Sequence, residues 1–136
     1  MFRGFVAGGL DWGERGDVTL TNNEVWMNGG SVRVVSGSAG PEESLTGRVV
    51  GARSMGAGDV RNNAVHLKNV TIEDGVRGGV STSKGNVVQN VITIEDSEIT
   101  GWSNQGGSVA GGYIEAGGNG NTNENSVFIK KFQSCR

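Results

Sequence analysis

The chain has 136 residues, a formal net charge of −2 and a pI near 5.4, which bounds it to one domain and excludes the basic stripe of a nucleic-acid surface. Glycine supplies 25 residues and proline one, about two and a half times average glycine usage, so collagen and proline-rich disorder are excluded. Valine and isoleucine dominate the apolar content, and no glycine-free window holds apolar residues at helical spacing for two turns, so strands are expected.

In chain order, residues 5–35 open a degenerate repeat. Phe5-Val6-Ala7-Gly8-Gly9 carries a V-x-G-G element, and Gly16-Asp17-Val18 a G-[DN]-V element. Asn23 begins N-x-V-x-M through Val25 and Met27, and after Gly29-Gly30 a second strand carries Val32 and Val34. Gly16 lies seven residues before Asn23, against five in later copies, which predicts a two-residue insertion or a bulge. Residues 36–47 hold the single proline and two adjacent glutamates, and read as a loop insertion. Arg48-Val49-Val50-Gly51-Ala52 restarts the repeat with alanine for the second glycine.

Two copies then follow in succession, over 58–79 and 85–101. Asn63 precedes Val65, Leu67, Val70 and Ile72 at +2, +4, +7 and +9, and Asn90 precedes Ile92, Ile94, Ser97 and Ile99 at the same offsets. Two-residue alternation marks a strand with one buried face, and the step from +4 to +7 requires a bend. Residues 101–108 form a second insertion, which carries Trp102. The last copy places Asn125 before Val127, Ile129 and Phe132, and a polar tail follows at 133–136.

The four asparagines are spaced 40, 27 and 35 apart, the excess over 27 lying in the insertions. The pattern predicts one all-β domain over 1–136, a parallel β-helix (β-solenoid) of about four coils, right-handed by the general crossover rule. An antiparallel β-sandwich or β-prism is the alternative. Stacked coils would put Val25, Val65, Ile92 and Val127 in one inward column, and Met27, Leu67, Ile94 and Ile129 in a second. Val32, Ile72 and Ile99 would make a third, and Val6, Val50, Val76 and Val109 a fourth. The asparagines would stack as an amide ladder. Lys130-Lys131 and the tail would blunt one open end, leaving self-association to the N-terminal end.

Chemistry is sparse. His66 is the sole histidine and points outward between Val65 and Leu67, and Cys135 is the sole cysteine, so zinc sites and an internal disulfide are excluded. Glu73-Asp74 and Glu95-Asp96 fall at different offsets from their asparagines, and read as charged corners rather than a catalytic pair. Residues 117–123 are superficially like a calcium nonapeptide but carry asparagine where the ion needs carboxylates, and there is no phosphate loop. No catalytic residue, metal ligand or cofactor is therefore assigned. Trp26 points outward, and Trp26 with Trp102 (and Trp12) forms the candidate binding platform. No apolar run reaches the ~18 residues of a membrane span, and the N-terminus lacks a signal peptide's apolar region. The chain is expected in the cytoplasm if complete, and at a cell surface or secreted if part of a longer protein.

The phrase N-x-V-x-I, a glycine-rich corner and V-x-G-G resembles the degenerate β-helical repeats of bacterial autotransporter passenger domains and related surface adhesins. The resemblance spans most of the chain and is best over 63–79 and 90–112. It implies a scaffold for binding or adhesion and transfers no catalytic residue. Three functions follow as expectations. The first is a non-catalytic structural or adhesive module acting through protein contacts or self-association. The others are a carbohydrate-binding or carbohydrate-active β-helix, and a cytosolic immunity or regulatory binding protein.

Overall fold

A computed structural model describes residues 2–3, 5–13, 18–33, 47–100, 108–115 and 117–130. Trp102, Val34, Phe132, Cys135, the tail and nearly all of both insertions lie outside these residues. The described elements are all strands. They run in chain order as β1 (Phe2–Arg3), β2 (Val6–Asp11), β3 (Leu20–Thr21), β4 (Glu24–Asn28) and β5 (Ser31–Arg33). The next coil holds β6 (Arg48–Ser54), β7 (Val60–Arg61), β8 (Ala64–Lys68) and β9 (Thr71–Ile72). A third holds β10 (Gly75–Ser81), β11 (Val87–Val88), β12 (Val91–Glu95) and β13 (Glu98–Ile99), and the last β14 (Ser108–Ile114), β15 (Thr122–Asn123) and β16 (Ser126–Lys130).

Every fourth strand pairs with its predecessor, and every pairing is parallel. The result is four four-stranded sheets, one per side of the coil: β2-β6-β10-β14, β3-β7-β11-β15, β4-β8-β12-β16 and β1-β5-β9-β13. We call these sides one to four. This is the parallel β-solenoid, and the antiparallel sandwich and prism are excluded by the strand directions.

The register fixes the core. Val25, Val65, Ile92 and Val127 align in one column, Met27, Leu67, Ile94 and Ile129 in the next, and Val32, Ile72 and Ile99 in the third, as the alternation predicts. The fourth column differs by one residue. Val49, not Val50, aligns with Val6 and Val76, which in turn meets Val109. Val50 lies opposite Arg77 on the outer face, yet it is buried as fully as Val49. Val127 and Ile129 hold inward columns but are 38% and 66% exposed, because no described coil lies on their far side.

The asparagine ladder is real and bonds along the stack. In each of the first three coils the asparagine donates its backbone N–H to Oδ1 of the next coil's asparagine, at 2.9–3.0 Å from Asn23 to Asn63, Asn63 to Asn90 and Asn90 to Asn125. Nδ2 donates to the same oxygen, and in Asn63 and Asn90 also to a carbonyl one coil back. Asn63 and Asn90 are fully buried, and the ladder satisfies their amides there. The left-handed corner conformation belongs to the preceding residue instead: Asn22, Asn62, Gln89 and Glu124 have φ of 56–60°. Shape follows from the ladder too, since a Cβ on Gly79 would sit 2.7 Å from Asn90 Nδ2.

The first corner also departs from expectation. Leu20 aligns with Val60, so the counterpart of Gly58 is Val18 rather than Gly16, and the spacing to Asn23 is the usual one with no insertion or bulge. The reason is steric. A Cβ on Gly58 would strike the Val18 carbonyl, one on Gly85 the Gly58 carbonyl, and one on Gly120 the Gly85 carbonyl. No described coil precedes Val18, so it keeps its side chain.

Candidate functional site

Side three presents its outward residues in straight columns, because the strands stack in register without a bulge. The central column reads Trp26, His66, Thr93, Phe128, and beside it run Asn28, Lys68, Glu95, Lys130. Trp26 is 70% exposed, yet it is held in place. Its ring stacks on His66 with centroids 3.9 Å apart and planes 23° from parallel, and Nε1 donates to Glu24 Oε2 at 2.8 Å. A cleft of about 300 Å³ opens beside this stack, lined in part by Asn28, Lys68, Thr93 and Glu95. Lys68 and Glu95 stand opposite each other on paired strands, and among the described residues the side chains of Lys68, Glu95, Asn28 and Thr93 make no ion pair or hydrogen bond.

The second feature is the edge of the last coil. Val127, Phe128 and Ile129 are consecutive in β16 and are 38%, 61% and 66% exposed, so the described edge of this coil is apolar, while Lys131 and the tail expected to blunt this end lie outside the described residues. Asn125 continues the ladder with Nδ2 donating to the Val87 carbonyl at 2.9 Å, while its backbone N–H has no acceptor among the described residues.

Side one carries the charges. Arg53 pairs with Glu115, and Arg77 donates to the Val76 and Ser108 carbonyls and to Ser108 Oγ while lying over the Tyr113 ring at 4.8 Å. Both arginines are over nine-tenths buried, and each leaves its Nε without a partner among the described residues. Burial, with a smaller contribution from the Arg48 charge, lowers the Arg77 pKa from its ordinary value. Of the two acidic corners, Glu73-Asp74 is tied into ion pairs, Glu73 with Arg33 at 3.1 Å and Asp74 with Arg48 at 2.7 Å.

Of the residues expected to bind, Trp26 stands on side three, Trp12 is exposed elsewhere, and Trp102 lies outside the described residues. Sequence reasoning missed His66 as the partner of Trp26. The signal was present, since each lies three residues after its ladder asparagine. Among the described residues no group of three or more His, Cys, Asp or Glu side chains could hold a metal, and no helix is long and apolar enough to cross a membrane. No protein-family model, curated protein or solved structure matches the chain.

Proposed function

We propose that the chain is a non-catalytic structural module that pairs with a second copy of itself through the edge of its last coil and presents side three to the surroundings. The observation that carries this reading is the exposed apolar run Val127-Phe128-Ile129 on a strand edge that has no partner strand among the described residues. Such edges are templates for pairing with another chain. An antiparallel β16–β16 pair centred on Phe128 is self-complementary. Val127 then meets Ile129 of the second copy on the inward side, and the two Phe128 rings meet outside. A two-fold contact of this kind closes on itself and gives a dimer.

Head-to-tail stacking is the competing geometry, and Val18 opposes it. The first coil of an incoming copy would bring a valine side chain to the place where every stacked coil has glycine against a carbonyl. The resemblance to autotransporter passenger domains supports a scaffold role, but it does not bear on how copies meet.

Light scattering after size exclusion tests the reading. The expected mass is twice 14.1 kDa, and Ile129→Lys is expected to return it to 14.1 kDa without loss of β-structure by circular dichroism. A wild-type monomer at every concentration overturns the proposal. A mass that grows without limit favours head-to-tail stacking instead.

A further inference from the structure

We infer that the side-three cleft beside the Trp26–His66 stack is a binding site for a neutral oligosaccharide. The inference stands on one copy of the chain and does not depend on the dimer. Its first support is the indole. An exposed tryptophan ordinarily samples several rotamers, but here stacking on His66 and the bond from Nε1 to Glu24 hold the ring, so ordering it costs little on binding. Its N–H is already satisfied, and what remains for a ligand is an apolar aromatic surface.

The second support is the polar wall. Asn28, Lys68, Thr93 and Glu95 line the same cleft, and their side chains make no hydrogen bond or ion pair among the described residues. They supply a cationic donor, an anionic acceptor, an amide and a hydroxyl. A sugar ring matches such a set, because each of its hydroxyls both donates and accepts while its C–H face is apolar. The opposed charges of Lys68 and Glu95 select against a strongly anionic or cationic ligand, since either would bring a like charge beside one of them. A volume of about 300 Å³ lies at the small end of ligand sites, which fits one or two sugar units rather than a folded peptide.

The column adds reach. Thr93, the short residue between His66 and Phe128, interrupts the aromatic column, and its hydroxyl stands where a linear chain lying across successive coils would pass from the Trp26–His66 stack to Phe128. In the proposed dimer the two columns would be joined at Phe128, and a multivalent glycan would gain avidity.

The test is a glycan array carrying neutral, sialylated and sulfated oligosaccharides, followed by titration of the best soluble neutral oligosaccharide by intrinsic fluorescence and calorimetry. Binding with a dissociation constant of about 0.1–1 mM per site is expected. Trp26→Ala should weaken it at least about tenfold, and Lys68→Ala and Glu95→Ala should each weaken it about threefold to tenfold. All three substitutions are on the surface and should leave the circular dichroism and the oligomeric mass unchanged. Ile129→Lys should keep the affinity for the soluble sugar while losing the dimer, which separates this site from the edge contact. An array with no neutral ligand, binding confined to the anionic glycans, or neutral binding that survives Trp26→Ala would each overturn the inference.

Discussion

Ile92→Asp is expected to remove a large part of the fold's stability, or all of it. Ile92 is fully buried at the middle of an inward column, between Val65 and Val127. No described cation lies in the core cluster around it, which is made of valine, leucine and isoleucine. An unpaired carboxylate there costs several kcal/mol even after it takes up a proton. The loss should exceed about 4 kcal/mol, against a total stability of roughly 5–15 kcal/mol for a domain of this size. Thr93→Asp is the control, one residue along and on the outer face, where the change should stay within about 0.5 kcal/mol. Urea unfolding followed by circular dichroism checks both. Equal tolerance at the two positions would mean that Ile92 does not face a packed core, and a larger loss for Thr93→Asp would mean that the strand faces are reversed.

Asn90→Leu should be almost as damaging, although it replaces a polar group with an apolar one of similar size. Asn90 Oδ1 accepts from the backbone N–H and Nδ2 of Asn63 at 3.0 and 2.9 Å, and its Nδ2 donates to the Val60 carbonyl and to Asn125 Oδ1 at 3.1 and 2.9 Å. Removing the amide strands the backbone N–H of Asn63, which is itself fully buried, together with a carbonyl. Each buried orphan costs about 1–3 kcal/mol, so a loss of roughly 3–6 kcal/mol is expected. The space is wrong as well, because Gly79 leaves room for a flat amide and little for a branched side chain. Asn23→Leu should cost only about 1–2 kcal/mol, since Asn23 bonds to one neighbouring coil and is half-buried. A ladder that contributes nothing would show the same midpoint for both variants.

How much of this was legible depends on which side of the coil carried the signal. Sides three and four were readable because their strands bury one face only, so valine and isoleucine alternate with polar residues at fixed offsets from each asparagine. Side one was not. Its outer face is also buried, at Val50 and Val80, and two adjacent valines then satisfy the alternation equally well in either register. The first corner misled for another reason. Gly16-Asp17-Val18 copies the motif locally, but glycine is required there only where a preceding coil presses a carbonyl against the chain, and Val18 has none. The exposure of Val127 and Ile129 depends likewise on what stacks beyond them, which a repeat pattern does not encode. Of the candidate site, Trp26 was readable as an outward residue. The cleft was not, because it depends on the register that sets Asn28, Lys68 and Glu95 beside the Trp26–His66 stack.

Disulfide trapping at Phe128 tests the proposed self-association most directly. In a Cys135→Ser background, Phe128→Cys places one thiol per copy at the centre of β16. A two-fold antiparallel edge contact brings the two Cβ atoms to about 4.5–5.5 Å, close enough to bridge after a small shift. Mild oxidation should then convert the protein to a covalent dimer and nothing larger, while a thiol on the exposed side chain of Thr21, distant from this edge, should give none. Failure of Phe128→Cys to cross-link, or equal cross-linking by Thr21→Cys, would contradict the account.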